Sequence, residues 1–183
     1  MDEQPAVIDR TMSPVFVNVA GTGLTLVIVF AVLALYALAW KSNPLAVFNS
    51  SATLEVLLIA LAVFFASIIV HELLHGLGYR MGGASRSAVR FGFQWKALLP
   101  YAHCTVPLKA SAYRLAVALP GLVLGLLPAA LGILIGSDML ALYGAAMLAG
   151  AAGDIMTLAL LLPLKPETRV QDHPSKPGFQ ILL

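Results

Sequence analysis

The sequence predicts an all-α membrane protein: a four-transmembrane-helix bundle with a short strand-like segment between helices 2 and 3. Three observations carry that reading. Of 183 residues, 60% are hydrophobic and only 11% charged, well beyond the roughly half-apolar make-up of soluble domains. Four apolar runs, at 17–40, 53–78, 112–136 and 139–164, each supply the ~20 helical residues needed to cross ~30 Å of hydrocarbon. Between the second and third runs the pattern changes from helical to alternating.

The first segment, 1–16, "MDEQPAVIDRTMSPVF", is acidic rather than basic and leads into an apolar stretch too long for a signal-peptide core. Helix 1 is therefore expected to be retained, with 1–16 as a cytoplasmic N-terminal segment. Helix 1 carries no charge before Lys41, and Trp40 stands where interfacial aromatics collect. The loop "KSNPLAVFNSS" is short; Ser51 or Thr53 can cap helix 2, and Glu55 favours its positive end. After helix 2, Val89, Phe91, Phe93 and Trp95 alternate with Arg90, Gly92, Gln94 and Lys96, a period of two that reads as strand. A second extended stretch, "YAHCTVP", follows Pro100, so a hairpin at the cytoplasmic membrane surface is expected.

Helix 3 contains Pro120 and Pro128, each of which removes a backbone donor, so local irregularity is predicted there. Along helix 4, Ala146, Gly150 and Asp154 recur every four residues, as do Ala145, Ala149 and Gly153. Such small-residue seams let helices approach closely. Residues 165–183, "KPETRVQDHPSKPGFQILL", contain three prolines and read as an irregular cytoplasmic tail. The transmembrane domain is thus 17–164, flanked by 1–16 and 165–183.

The net charge of +2 becomes informative once distributed. With the loop between helices 2 and 3 on the cytoplasmic side, that side holds Arg10, Arg80, Arg86, Arg90, Lys96, Lys109, Arg114, Lys165, Arg169 and Lys176, and the other side only Lys41. The positive-inside rule then sets both termini in the cytoplasm of a multi-pass protein, expected in a prokaryotic cell membrane. The bilayer is the first partner; no nucleic-acid partner is expected, and the sequence assigns no oligomeric state. The single cysteine, Cys104, excludes an internal disulfide.

The chemistry concentrates in "VHELLHGLGYR", residues 70–80. HExxH on a helix puts His71 and His75 on one face, one turn apart, where both can bind one Zn²⁺, and lets Glu72 act as general base toward an activated water. Three polar groups in an apolar helix are costly unless partnered, which favours a metal site over mere packing. A third ligand is needed if one position is to stay open. The metzincin extension is excluded: Gly78 is in place, but Met81 stands where the third histidine would be.

Asp154 is the remaining acid inside an apolar run. If helices 2 and 4 run the same way, His71 lies ~27 Å below the start of its helix and Asp154 ~22 Å below the start of its own, within about one turn of each other. Asp154 is therefore the preferred third ligand, against a plain packing role. His103 is the main alternative, with His173 behind it: a ligand, a transition-state or substrate contact, or an ordinary loop residue. Cys104 is its neighbour on the extended stretch and points to the opposite face, so at most one of the two should look toward a metal.

These residues look like those of site-2 protease-type intramembrane zinc metalloproteases, which pair a HExxH helix with a distant aspartate on another membrane helix. More closely, "HELLHGLGY", "HCTVPLKASAYRLAVALPG", "AAGDIMTLALLLP" and "DHPSKPG" in that order resemble a family of small bacterial and archaeal zincin-type membrane peptidases, over roughly residues 60 to 180. The resemblance implies His71, His75 and Asp154 as zinc ligands, Glu72 as general base, and a membrane protein or peptide as substrate. One departure is that Gly153 precedes Asp154 here, without the Asn/Pro context usual around the aspartate of site-2 proteases. The alternative is a non-proteolytic protein that binds or transports a divalent metal through the same ligands, which would call for further polar groups along the membrane path beyond Ser67 and Thr157.

Overall fold

The computed structural model describes residues 6–49, 53–95 and 99–183. Its elements, in chain order, are β1 (Val7–Thr11), α1 (Pro14–Trp40), a 3₁₀ turn (Pro44–Asn49), α2 (Thr53–Met81), a 3₁₀ turn (Arg86–Ala88), β2 (Val89–Gln94), β3 (Leu99–Cys104), β4 (Leu108–Lys109), α3 (Ala110–Pro120), a π-helical stretch (Gly121–Leu126), α4 (Leu127–Ile135), α5 (Asp138–Gly150), α6 (Ala152–Leu161), β5 (Arg169–Asp172) and β6 (Gly178–Leu182). Among the described residues three helices are long and apolar enough to cross a membrane: α1, α2 and the continuous run Ala110–Ile135; α5 with α6, bent by 54°, makes a fourth if the pair is one span. The chain is a multi-pass membrane protein with small antiparallel sheets. It divides into two compact units, one of Met1–Val19, Glu72–Leu119 and Gly153–Leu183, the other of Ala20–His71 and Pro120–Ala152.

In the second unit, small residues set the packing. A Cβ on Gly144 would meet the Ala129 Cβ at 2.7 Å, one on Gly132 would meet the Ala141 Cα at 2.7 Å, and one on Gly125 would meet the Leu148 Cγ at 2.7 Å. Close helix approach therefore runs through Gly125, Gly132 and Gly144, with Ala145 of the predicted seam buried against Val32 and Ala129, whereas at Gly150 and Gly153 of that seam an added Cβ would meet nothing within 4 Å. The irregularity expected at Pro120 and Pro128 is the π-helical stretch between α3 and α4, which lets the helix continue past the donor that Pro120 lacks. Gly136 closes α4 in the left-handed conformation at φ 72°. The Tyr36 hydroxyl donates to the Gly136 carbonyl (2.8 Å) and the Trp40 indole to that of Ile133 (2.7 Å), so Trp40 also ties down a helix end.

The straight fourth helix expected at 139–164 is corrected. It breaks at Ala151, whose N–H is shared between the carbonyls of Met147 (3.0 Å) and Leu148 (3.1 Å), and restarts as α6. Neighbouring Gly150 and Gly153 lower the resistance to such a break. Of the proposed caps of helix 2, Ser51 and the Thr53 side chain lie outside the described residues, as does Lys96.

The first unit holds the larger correction, because the fold is not all-α. The expected hairpin is there, β2 antiparallel to β3 with Val89 opposite Cys104 and Gln94 opposite Leu99. A second, four-stranded antiparallel sheet has the order β1-β6-β5-β4. The segment 165–183, read as irregular, is β5 and β6 of that sheet. Its alternation is genuine: Val170, Phe179 and Ile181 turn inward to a core with Leu108, Tyr113, Val117 and Leu161. Its prolines occupy turns, Pro166 before β5 and Pro174 and Pro177 between β5 and β6, where no ladder hydrogen bond is lost. Residues 7–11, within the predicted N-terminal segment, form β1, with Val7 opposite Leu182 and Thr11 opposite Gly178.

Candidate metal centre

Helix α2 carries His71, Glu72 and His75 without a break. Below them it meets α3 through a seam of small residues. A Cβ on Gly78 would strike the Ala116 backbone and stand 2.8 Å from its Cβ, and one on Gly82 would stand 2.9 Å from the Ala112 Cβ. Two small residues four apart on each helix bring the backbones together. That closeness lets the His75 ring reach across: its Nδ1 lies 2.9 Å from the Ala116 carbonyl oxygen. A carbonyl can only accept, so Nδ1 carries a proton and Nε2 is the nitrogen left to face a metal.

Nε2 of His75 is 3.4 Å from Oδ1 of Asp154, in the first turn of α6. One ligand atom from each of His71, His75 and Asp154 falls within 4.8 Å of the others. Ligands about 2.0–2.2 Å from a tetrahedral ion stand about 3.3–3.6 Å apart, so the His75–Asp154 separation suits a shared metal. His75 is buried and His71, Glu72 and Asp154 are half-buried. Two imidazoles and a carboxylate, one imidazole with its second nitrogen held by a carbonyl, make a donor set that fits zinc.

The end of α6 is fixed from α3. The Arg114 guanidinium donates to the carbonyls of Leu161 (2.9 Å), Leu162 (3.3 Å) and Leu164 at the end of the helix, where intrahelical donors run out.

The two histidines considered as rival ligands are engaged elsewhere. Nδ1 of His103 lies 3.5 Å from Oδ2 of Asp172. His173 accepts the backbone N–H groups of Ser175 (3.1 Å) and Lys176 (2.9 Å) at Nδ1, while its Nε2 is 3.7 Å from Asp9. Cys104 is fully buried, and burial pushes its thiol above the ordinary range. As expected, it faces inward while the adjacent His103 stays partly exposed.

Sequence reasoning missed Asp172, buried at the end of β5. Its Oδ2 accepts the Cys104 N–H at 2.6 Å, and its Oδ1 accepts the hydroxyls of Tyr79 (3.4 Å) and Tyr113. Burial pushes its carboxyl above the usual carboxylate range, against the Cys104 N–H, Tyr113, His103 and Tyr79, all of which hold it down. The only sequence signal was its place in "DHPSKPG".

A membrane-spanning fold with a HExxH helix and a converging aspartate defines a protein of the zincin type. The chain belongs to the family described as "Putative zincin peptidase", whose model matches residues 64–169. No curated protein and no solved structure matches the chain.

Proposed function

We propose that the chain is an intramembrane zinc metallopeptidase that hydrolyses peptide bonds of membrane-associated or transmembrane substrates. The observation that carries this reading is the approach of Asp154 Oδ1 to His75 Nε2, on a helix that also bears His71 and Glu72. His71, His75 and Asp154 would hold the metal. Bound there, zinc supplies Lewis acidity, lowering the pKa of water toward neutrality and polarising a carbonyl. Ala116 keeps the His75 proton on Nδ1. The Glu72 carboxylate takes the proton from water and returns it to the leaving amine. The β2–β3 hairpin, which includes His103, would hold an unwound substrate by strand addition.

Sheet pairing supports four crossings with both terminal segments on one side. β1 pairs with β6, and β4 with β5, in one sheet, so all four strands lie on the same side of the bilayer. An even number of spans must then separate β4 from β5. The run Ala110–Ile135 is one, which makes the bent α5–α6 pair the other. The lysine and arginine asymmetry puts that side in the cytoplasm.

Metal transport is less well supported, because the polar groups nearest the site are used in packing. Ser67 donates to the Val63 carbonyl (2.8 Å) and lies 2.9 Å from the Tyr143 hydroxyl. Thr157 donates to the Gly153 carbonyl at 2.9 Å.

The test compares purified wild type with Glu72→Gln for zinc content and for cleavage of membrane-embedded peptides. The variant is expected to keep zinc and lose hydrolysis; equal cleavage by both proteins would overturn the assignment.

A further inference from the structure

Asp172 joins four elements by hydrogen bonds and proximity. It sits on β5, accepts from Cys104 N–H at the end of β3, and receives the hydroxyls of Tyr79 on α2 and Tyr113 on α3. The carboxylate is nine-tenths buried. Burying a charge is costly unless it is thoroughly hydrogen-bonded, so the number of its donors calls for an explanation beyond sheet formation, which Val170 and Phe179 already serve.

The two tyrosines supply one. Tyr79 follows His75 by one helical turn, and the two rings lie nearly parallel, centroids 6.4 Å apart and planes at 22°. Tyr113 precedes Ala116 by about one turn on α3, and Ala116 carries the carbonyl that holds His75 Nδ1. The carboxylate thus clamps α2 to α3 one turn from the histidine–carbonyl bond that orients the imidazole. The tyrosine rings also touch, centroids 5.7 Å apart, which closes the cluster.

We propose that Asp172 is a positioning residue for the metal centre: through Tyr79 and Tyr113 it fixes the spacing of α2 and α3 and thereby the orientation of the His75 ring. This rests on the reading of His71, His75 and Asp154 as metal ligands. The carboxylate does not touch the metal. It acts at one remove, as partners beyond the ligands do in metalloproteins, where their loss weakens metal affinity about 10- to 100-fold.

The experiment measures zinc affinity of the full chain in detergent, by competition with a chromophoric chelator, together with the visible spectrum of the Co²⁺-loaded protein and the melting temperature. Asp172→Asn is expected to weaken zinc binding about 10- to 100-fold and to change the cobalt bands. Val170→Ala, which opens a cavity in the same core and removes none of the hydrogen bonds to Asp172, is the control: it should lower the melting temperature and leave affinity and spectrum unchanged. If Asp172→Asn behaves like that control, Asp172 serves the fold alone and the proposal falls. Should Asp172→Asn fail to fold, Tyr79→Phe decides, since it removes one hydroxyl and keeps the ring: a weaker affinity with altered bands supports the proposal, and wild-type values overturn it. A wild type that binds no zinc would remove the metal reading itself, whereas tight wild-type binding with unmoved variants removes only the role of Asp172.

Discussion

His75 Nδ1 and the Ala116 carbonyl oxygen are 2.9 Å apart, and this contact exists because Gly78, one turn further along α2, has no side chain. The bond decides which nitrogen of the imidazole is available, and the backbone approach decides whether the bond can form. Gly78 therefore belongs to the chemistry as much as to the packing.

Gly78→Val should push α2 away from α3, since even a Cβ would meet the Ala116 backbone. Overpacking of this kind costs about 1–3 kcal/mol. A lower melting temperature together with weaker zinc binding is the expected result, read by thermal denaturation and metal titration. Wild-type zinc affinity in a destabilised Gly78→Val protein would separate packing from ligand orientation.

Removal of metal should be visible in stability. A ligand that binds only the folded state stabilises it by about 2.7 kcal/mol at a hundredfold excess over its dissociation constant. A chelator should thus lower the melting temperature, and added zinc should restore it. In Asp154→Ala and His75→Ala neither addition should have much effect; a full zinc response in Asp154→Ala would take that carboxylate out of the ligand set.

Arg114→Ala leaves the carbonyls of Leu161, Leu162 and Leu164 without their shared donor. The expected loss is about 1–3 kcal/mol, measured by denaturation in detergent. Arg114→Lys should recover only part of it, because an ammonium cannot present the guanidinium fork to three acceptors.

Cys104 offers a probe of the intact fold. Its thiol is buried and its pKa is raised by that burial, so the reactive thiolate form is reached only at higher pH than for a free cysteine. A maleimide near neutral pH should label the folded protein far more slowly than the unfolded one. Asp172→Ala, which leaves the Cys104 N–H without its acceptor, should speed labelling.

The parts of this molecule dictated by solvent and by chemistry were legible in the sequence. A helix facing lipid must be long and apolar, so α1, α2 and the Ala110–Ile135 span could be read directly. Ionisable groups in apolar helices stand out by their cost, so His71, His75 and Asp154 could be grouped from the sequence, and these three converge to within 4.8 Å. Residues whose role depends on distant partners were not legible. Val170, Phe179 and Ile181 alternate over strands too short to outweigh their prolines, and β1 reveals itself only beside β6. The break at Ala151 has no proline to announce it. Asp172 looked like one more charge in a polar tail until Tyr79, Cys104 and Tyr113 were seen around it.

The pairing of β1 with β6 has a consequence for how the protein is made. Val7 leaves the ribosome before α1, yet its partner Leu182 follows only after every intervening helix has been synthesised. Contacts this far apart in sequence form late because the intervening chain must be ordered first. The β1–β6 ladder therefore cannot close until every helix between its strands has been made. On the proposed topology, a chain whose α5–α6 pair failed to cross would leave β5 and β6 across the bilayer from β1, unable to complete the sheet. On that topology the β1–β6 ladder would report that the helices between its two strands had crossed an even number of times.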